Sequence, residues 1–254
     1  MTGFLASIAS SEELTPVLEG GADLIDVKDP SMGALGAASG ETVRTVVEAV
    51  AGQRRVSATL GDLPMEASLL ADAARRTTAA GVDYVKVGIF PDGDVRGCIA
   101  ALGHLATEGV RLVAVLFADR GPDIALLDRL AGAGFAGAML DTASKDGGAL
   151  PDHLPAERLA LFVERCRSFG LMTGLAGSLR LEHIAPLVTL QPDYLGFRGA
   201  LCREARTSRI EAARVRAVRQ ELDQARSATA AAGALIAAAS RASGVPSTSS
   251  AKSR

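Results

Sequence analysis

Residues 21–28 read GADLIDVK, and this pattern of a turn, an aspartate and a short apolar run decides the fold. The pattern returns at residues 81–88 as GVDYVKVG and at residues 192–199 as PDYLGFRG. Each apolar run is too short for a buried helix and contains β-branched or aromatic residues, so each is predicted to be a strand. The recurrence indicates a chain built from similar supersecondary units.

Apolar runs of this kind recur at fairly even intervals along the chain. Eight can be counted, and they begin at Phe4, Leu24, Val56, Tyr84, Leu112, Gly137, Leu171 and Tyr194. Helical patterns lie between them, and several end in glycine, as helix C-termini often do. Eight strands alternating with helices in 254 residues predict an α/β fold, a closed (β/α)₈ barrel. An open doubly wound sheet is the alternative, but SSEEL follows the first strand where a glycine-rich dinucleotide fingerprint would be expected.

The composition changes towards the C-terminus. We expect one catalytic barrel domain over residues 1–226 and an Ala/Ser-rich low-complexity tail over residues 227–254. The alanine stretch of this tail could form a helix, whereas its end is typical of a solvated segment.

Charge and cysteine content narrow the classes of partner and compartment. The net charge of −2 gives no reason to expect nucleic acid or an anionic membrane as a partner. The N-terminus lacks the basic start and apolar stretch of a signal peptide, and no run has the length of a membrane span. Cys98, Cys166 and Cys202 are widely spaced and odd in number, which favours reduced thiols and a cytoplasmic location.

Lysine is rare in this chain and is placed unevenly. Lys28, Lys86 and Lys145 lie in the predicted barrel, and Lys252 lies in the tail, whereas arginine supplies the other basic residues. Side chains alternate between the two faces of a strand, so Asp26 and Lys28 point the same way. Lys86 shares a face with Tyr84 and Gly88, and Asp141 ends strand six with Lys145 four residues later. These groups, with Asp62 after strand three, should meet at the C-terminal end of the barrel, where barrel enzymes carry their chemistry.

Two interpretations of these lysines are open. They could form ion pairs, Asp26 with Lys28 and Asp141 with Lys145, at solvated strand ends. Three lysines in a chain that otherwise uses arginine favour chemistry, because lysine can lose its proton and arginine cannot. Burial and a second ammonium lower a lysine pKa, and the free amine can then form a Schiff base with a carbonyl. The neighbouring carboxylates and the second lysine would move protons.

Small residues follow strands seven and eight, where barrels frequently hold a phosphate. The predicted phosphate-binding residues are Gly174, Gly177, Ser178, Arg198 and Gly199. Serine would add a hydroxyl and arginine a charged donor. Close packing is the alternative role for the glycines. The three histidines, His104, His153 and His183, are isolated from one another, so structural roles and no metal site are expected.

Six segments together resemble one known family, that of the 4-(hydroxymethyl)-2-furancarboxaldehyde-phosphate synthases, also called (5-formylfuran-3-yl)methyl phosphate synthases. These segments, from about residue 4 to residue 205, are GGADLIDVKDPSMGALGA, VSATLGDLP, GVDYVKVG, LDTASKDG, GLAGSL and GFRGALC. The resemblance implies a barrel akin to class I aldolases. It also implies a lyase that condenses two molecules of glyceraldehyde 3-phosphate, with loss of phosphate and water, for methanofuran biosynthesis.

The resemblance further implies roles for individual residues. Lys28 would form the Schiff base and Lys86 would accept a proton, with Asp26, Asp141 and Lys145 completing the acid–base set. No metal or organic cofactor would be needed, because the imine is the electron sink.

Two other functions compete with this interpretation. One is another class I aldolase acting on a phosphorylated sugar, and the other is a non-catalytic barrel that binds a phosphate metabolite. In all three cases the expected partner is a phosphorylated small molecule, a triose phosphate in the first. Barrels often assemble, so a homo-oligomer is a further expectation.

Overall fold

Eight parallel strands close into a barrel in the computed structural model, which describes residues 1–242 of the chain. Each strand pairs with its neighbours in chain order, and the last pairs with the first. The strands are β1 (Gly3–Ile8), β2 (Leu24–Val27), β3 (Arg55–Thr59), β4 (Tyr84–Ile89), β5 (Leu112–Phe117), β6 (Gly137–Asp141), β7 (Met172–Leu175) and β8 (Tyr194–Phe197). The predicted fold and all eight predicted strands are confirmed.

Helices connect the strands and cover the outside of the barrel. They are α1 (Leu14–Glu19), α2 (Gly40–Val50), α3 (Ala67–Ala79), α4 (Val95–Thr107), α5 (Leu126–Gly132), α6 (Leu150–His153), α7 (Ala156–Ser168), α8 (Ile184–Val188) and α9 (Ala212–Ala242). Side-chain caps set two of the helix starts. Ser39 accepts a hydrogen bond from the Thr42 N–H at the start of α2, and Asp94 accepts one from the Gly97 N–H at the start of α4. Such caps satisfy N–H groups that have no partner within the helix.

Strand alternation divides the apolar residues into an outer and an inner core. Outward residues such as Ile25 and Val87 pack against the helices in the larger cluster. Inward residues such as Leu24, Tyr84 and Met139 form a second cluster inside the barrel. Toward the C-terminal ends of the strands, several inward-facing side chains are polar or charged. The apolar cluster inside the barrel therefore lies beneath these polar groups.

The strand register places three inward polar residues in one row. Ser7 on β1 is paired in register with Asp26 on β2, and Asp26 is paired with Ser57 on β3. Lys86 on β4 is in register with Thr59, two residues further along β3 than Ser57. Because strands in a barrel are staggered, a long lysine side chain from β4 can reach back to the carboxylate on β2.

The last helix passes through the predicted boundary between domain and tail. Helix α9 continues from Ala212 to Ala242, so residue 226 falls within a helix, and the alanine stretch that follows it is helical. Residues 243–254 of the predicted tail lie outside the described part of the chain. Across residues 1–242, no helix combines the length and apolar character needed to span a membrane. Cys98, Cys166 and Cys202 are buried free thiols.

Candidate active site

Asp26 is a fully buried carboxylate held by three neighbours. It accepts hydrogen bonds from the Ser7 hydroxyl at 2.9 Å and the Ser57 hydroxyl at 2.7 Å. Its Oδ2 lies 3.1 Å from Nζ of Lys86. Burial opposes ionisation, but the ammonium groups of Lys86 and Lys28 and the Ser57 hydroxyl outweigh it, so the pKa of Asp26 lies below its usual value. The ion pair between Asp26 and Lys28 considered from the sequence is therefore wrong, because Asp26 pairs with Lys86 across the barrel.

Asp141 and Lys145 form the second ion pair, the one that the ion-pair interpretation of the sequence names. Nζ of Lys145 lies 2.6 Å from Oδ1 of Asp141 and also donates to the carbonyl of Thr142. The Thr142 N–H donates to the same carboxylate at 2.7 Å. Burial raises the pKa of Asp141, but the attraction of Lys145 and then Lys28 exceeds this effect and lowers the pKa to about 2. This carboxylate is thus an anion at neutral pH and can stabilise a neighbouring cation.

Lys28 differs from the other two barrel lysines because it has no direct carboxylate partner. Its side chain is buried, and its Nζ donates one long hydrogen bond, 3.5 Å, to the carbonyl of Ala34. Within the described residues, no carboxylate oxygen lies within 4.0 Å of this nitrogen, whereas Lys86 and Lys145 each have one. Lys28 therefore carries the amine that is least constrained by an ion pair.

The surroundings of Lys28 make its amine easier to deprotonate. Burial lowers the pKa of Lys28 from 10.5 to about 8, and Lys86 and Lys145 lower it as well, while Asp141 and Asp26 oppose the shift. A lysine whose pKa is lowered in this way holds a substantial fraction of free amine near neutral pH, against about 0.1% for an unperturbed lysine. The site thus supplies far more nucleophile than a surface lysine would.

The loop that follows β2 lies over Lys28 and is tied down from β3. Asp62, expected as a rim carboxylate, instead accepts hydrogen bonds of 3.0 Å from the N–H groups of Ala34 and Leu35. The Thr59 hydroxyl donates to the Gly36 carbonyl at 3.0 Å. Asp62 therefore shapes the loop over the amine. Its role depends on backbone groups 27 and 28 residues away in the chain, which side-chain alternation does not reveal.

A pocket of about 620 Å³ opens above these groups at the C-terminal ends of the strands. Its volume falls within the usual range for small-molecule sites. Lys28, Lys86, Asp141 and Lys145 all line it. Asp26 lies beneath Lys86 and acts on the pocket through it. The structure thus brings together all five residues predicted for the acid–base set.

Gly177, Ser178 and Gly199 line the same pocket, as expected for a phosphate site. Gly177 has a φ of +109°, and Ser178 has a φ of +48°, so the loop after β7 turns through a conformation that glycine tolerates best. The backbone N–H groups of all three residues have no hydrogen-bond partner among the described residues. These are donors that an anion could use.

Two of the predicted phosphate ligands have other roles in the structure. Gly174 lies within β7 and does not line this pocket. A Cβ added at Gly174 would come 2.8 Å from Cβ of Met139, so its lack of a side chain serves packing. Arg198 is buried and forms a bidentate ion pair with Glu13. Its remaining N–H groups donate to the carbonyls of Ser7, Arg206 and Ser208. All five guanidinium donors are thus used, and none remains for a phosphate.

The three histidines lie apart from this chemistry. His104 is exposed and His183 accepts a hydrogen bond from the Arg180 N–H at 3.1 Å. None of the three histidines lines the lysine pocket in residues 1–242.

The protein belongs to the class of closed (β/α)₈ barrels, and its lysines lie at the C-terminal mouth of the barrel. Solved barrels match this fold. The 3-hexulose-6-phosphate synthase of Salmonella typhimurium is 18% identical, with a TM-score of 0.64 over 88% of this chain and 100% of that one. The phosphoribosyl anthranilate isomerase of Thermus thermophilus is 14% identical, with a TM-score of 0.63 over 88% and 99%. At these identities the likeness concerns the fold alone.

Within that class the chain belongs to the 4-HFC-P synthase family, whose model matches residues 4–219. A Methylorubrum extorquens protein, assigned provisionally as a (5-formylfuran-3-yl)methyl phosphate synthase, is 45% identical over 213 residues, covering 83% of this chain and 87% of its own. The (5-formylfuran-3-yl)methyl phosphate synthase of Methanothermobacter thermautotrophicus is 36% identical over 231 residues, covering 86% and 98%. The resemblance inferred from the six segments is confirmed.

Proposed function

We propose that the protein is a lyase that condenses two molecules of glyceraldehyde 3-phosphate into (5-formylfuran-3-yl)methyl phosphate through a Schiff base on Lys28. The observation that carries this proposal is the state of Lys28, a buried amine with a pKa of about 8 that has no carboxylate partner among the described residues and shares its pocket with two paired lysines. The product is the compound in the names of the relatives, and its formation would place the enzyme in methanofuran biosynthesis.

The reaction begins when the Lys28 amine attacks the carbonyl carbon of one triose phosphate, as its ketone isomer. Water leaves and a protonated imine forms, and its carbon becomes an electrophile. The second triose loses a proton from carbon 2 and phosphate from carbon 3, which leaves an enol that is nucleophilic at carbon 3. That carbon bonds to the imine carbon and gives the branched carbon skeleton of the product. The free hydroxyl of the first triose then closes the ring on the new ketone, and loss of water and of the Lys28 amine forms the furan. Overall, two trioses yield one furan phosphate, one phosphate and two molecules of water.

The two ion pairs can serve different proton transfers. Lys86 and Asp26 lie at 3.1 Å deep in the pocket, where the carboxylate can hold the proton that Lys86 receives or gives. Asp141 and Lys145 lie nearer the mouth, where Lys145 can donate to a departing oxygen while Asp141 remains ionised. Lys145 is 14% exposed and Lys86 is 3% exposed, consistent with this division between an outer and an inner pair.

The proposal is tested by replacing the nucleophile. Lys28→Arg keeps a positive charge but cannot form an imine at ordinary pH, so furan production measured by liquid chromatography and mass spectrometry should fall below detection. Lys252→Arg makes the same change near the C-terminus and serves as the matched control, which should retain full activity. Full activity of Lys28→Arg would refute the Schiff base. A different condensation product from the wild type would indicate another class I aldolase.

A further inference from the structure

Arg206 lies in a tight hairpin of residues 202–210, which joins β8 to α9 and is called the arginine hairpin below. Cys202 and Ile210 form an antiparallel bridge at its base, and the Arg203 N–H donates to the Arg209 carbonyl at 3.1 Å. From below, Arg198 donates to the carbonyl of Arg206 at 2.7 Å. The buried ion pair of Arg198 with Glu13 therefore fixes the hairpin tip.

The side chain of Arg206 extends from this hairpin into the lysine pocket. It is half-buried and donates to the Gly33 carbonyl at 3.1 Å, in the loop that lies over Lys28. In the described part of the chain this is its one hydrogen bond, so Nε and Nη1 have no acceptor. No carboxylate lies within 4.0 Å of the guanidinium among those residues, whereas the neighbouring Arg198, Arg203, Arg209 and Arg214 each have one.

Burying part of a cation without a counter-ion costs free energy, and a bound anion would offset that cost. Burial lowers the pKa of Arg206, although an arginine keeps its charge at any ordinary pH. The planar guanidinium offers parallel donors that match two oxygens of a phosphate group. Arg198 cannot fill this role, because its five donors are already used.

We propose that Arg206 binds the phosphate ester of a triose phosphate and supplies the charged contact that the sequence assigns to Arg198. The identity of the ester rests on the proposed function, whereas the phosphate site itself does not. Arg198 and Glu13 act as positioning residues that hold the hairpin in place. Gly177, Ser178 and Gly199 line the same pocket, and their backbone N–H groups can complete the phosphate site.

The test uses glycerol 3-phosphate, which carries the phosphate ester but no carbonyl and so cannot form an imine. Isothermal titration calorimetry should show that Arg206→Gln raises the Kd for glycerol 3-phosphate about 10- to 100-fold, the usual effect of losing a charge-assisted hydrogen bond. Arg209→Gln, in the same hairpin but 88% exposed and paired with Glu12, is the matched control and should stay within about twofold of wild type. Thermal melts check that each variant is folded.

If Arg206→Gln does not fold, Arg206→Lys replaces it, and a several-fold weakening is expected because lysine keeps the charge but loses the fork. Wild-type affinity in the folded Arg206 variant, or no binding of glycerol 3-phosphate by the wild type, would overturn the inference. Borohydride trapping on Lys28 is scored separately. If glycerol 3-phosphate binding depends on Arg206 but no adduct forms on Lys28, the phosphate site is supported and the proposed function is rejected. If an adduct forms on Lys28 but binding does not depend on Arg206, the proposed function is supported and the phosphate site is rejected.

Discussion

The protonation of Lys28 can be measured directly because the chain has so few lysines. Labelling with lysine carrying ¹³C at Cε should give four resonances, assigned by lysine-to-arginine variants. As the pH is raised from 6 to 11, the Lys28 resonance should titrate with a midpoint of about 8, against 10.5 for an ordinary lysine. The difference corresponds to about 3 kcal/mol of destabilisation of the ammonium form by its surroundings.

The direction of a second shift tests the physical cause. Among the charges that act on Lys28, Asp141 is the strongest attraction, and it holds the pKa up against burial. Asp141→Asn removes that attraction, so the Lys28 midpoint should move below its wild-type value. Asp72→Asn, an exposed carboxylate on α3, is the control and should leave the midpoint unchanged. A wild-type midpoint near 10.5, or an upward shift in Asp141→Asn, would refute the account of the amine.

Two further predictions concern stability, measured by urea unfolding. Asp26→Asn leaves the Lys86 ammonium buried without its carboxylate and should lower the free energy of unfolding by about 3–5 kcal/mol. The control Asp72→Asn should change it little, and equal effects of the two substitutions would contradict the role of the buried pair. Lys28→Met should stabilise the protein by about 1–3 kcal/mol at pH 7, because it removes a desolvated ammonium. The folded pKa of Lys28 lies below its unfolded value, so below about pH 8 its protonated form destabilises the wild type, and this penalty disappears as pH rises from about 8 to 10.5. The advantage of Lys28→Met should shrink over that window, and an advantage that does not change with pH would contradict the assigned cause.

The barrel and its inward-facing charges could be predicted because both follow from local pattern. Eight short apolar runs with helices between them leave few alternatives at this length, and the two-residue period assigns each strand residue to a face. Asp26, Lys86 and Asp141 therefore appear where alternation places them. Lys145 pairs with Asp141 because the two are only four residues apart.

Pairings between distant segments could not be predicted in the same way. Alternation gives the face of a side chain but not the stagger between strands, so it could not show that Lys86 reaches Asp26. Arg198 resembled a phosphate ligand until Glu13, 185 residues away in the chain, was seen to neutralise it. Arg206 lies outside the strands, so side-chain alternation gives no indication that it reaches the pocket. One sequence signal could have indicated Arg206: it lies in an arginine-rich stretch directly after β8, the strand that leads into a predicted phosphate loop.

The most direct test of the central claim is reductive trapping on the wild-type enzyme. The protein is incubated with glyceraldehyde 3-phosphate, reduced with borohydride and digested, and mass spectrometry locates the modified lysine. The account predicts a triose phosphate adduct on Lys28, with furan aldehyde phosphate accumulating in the unreduced sample. An adduct on Lys86 or Lys145 alone, or no adduct while the furan still forms, would contradict it.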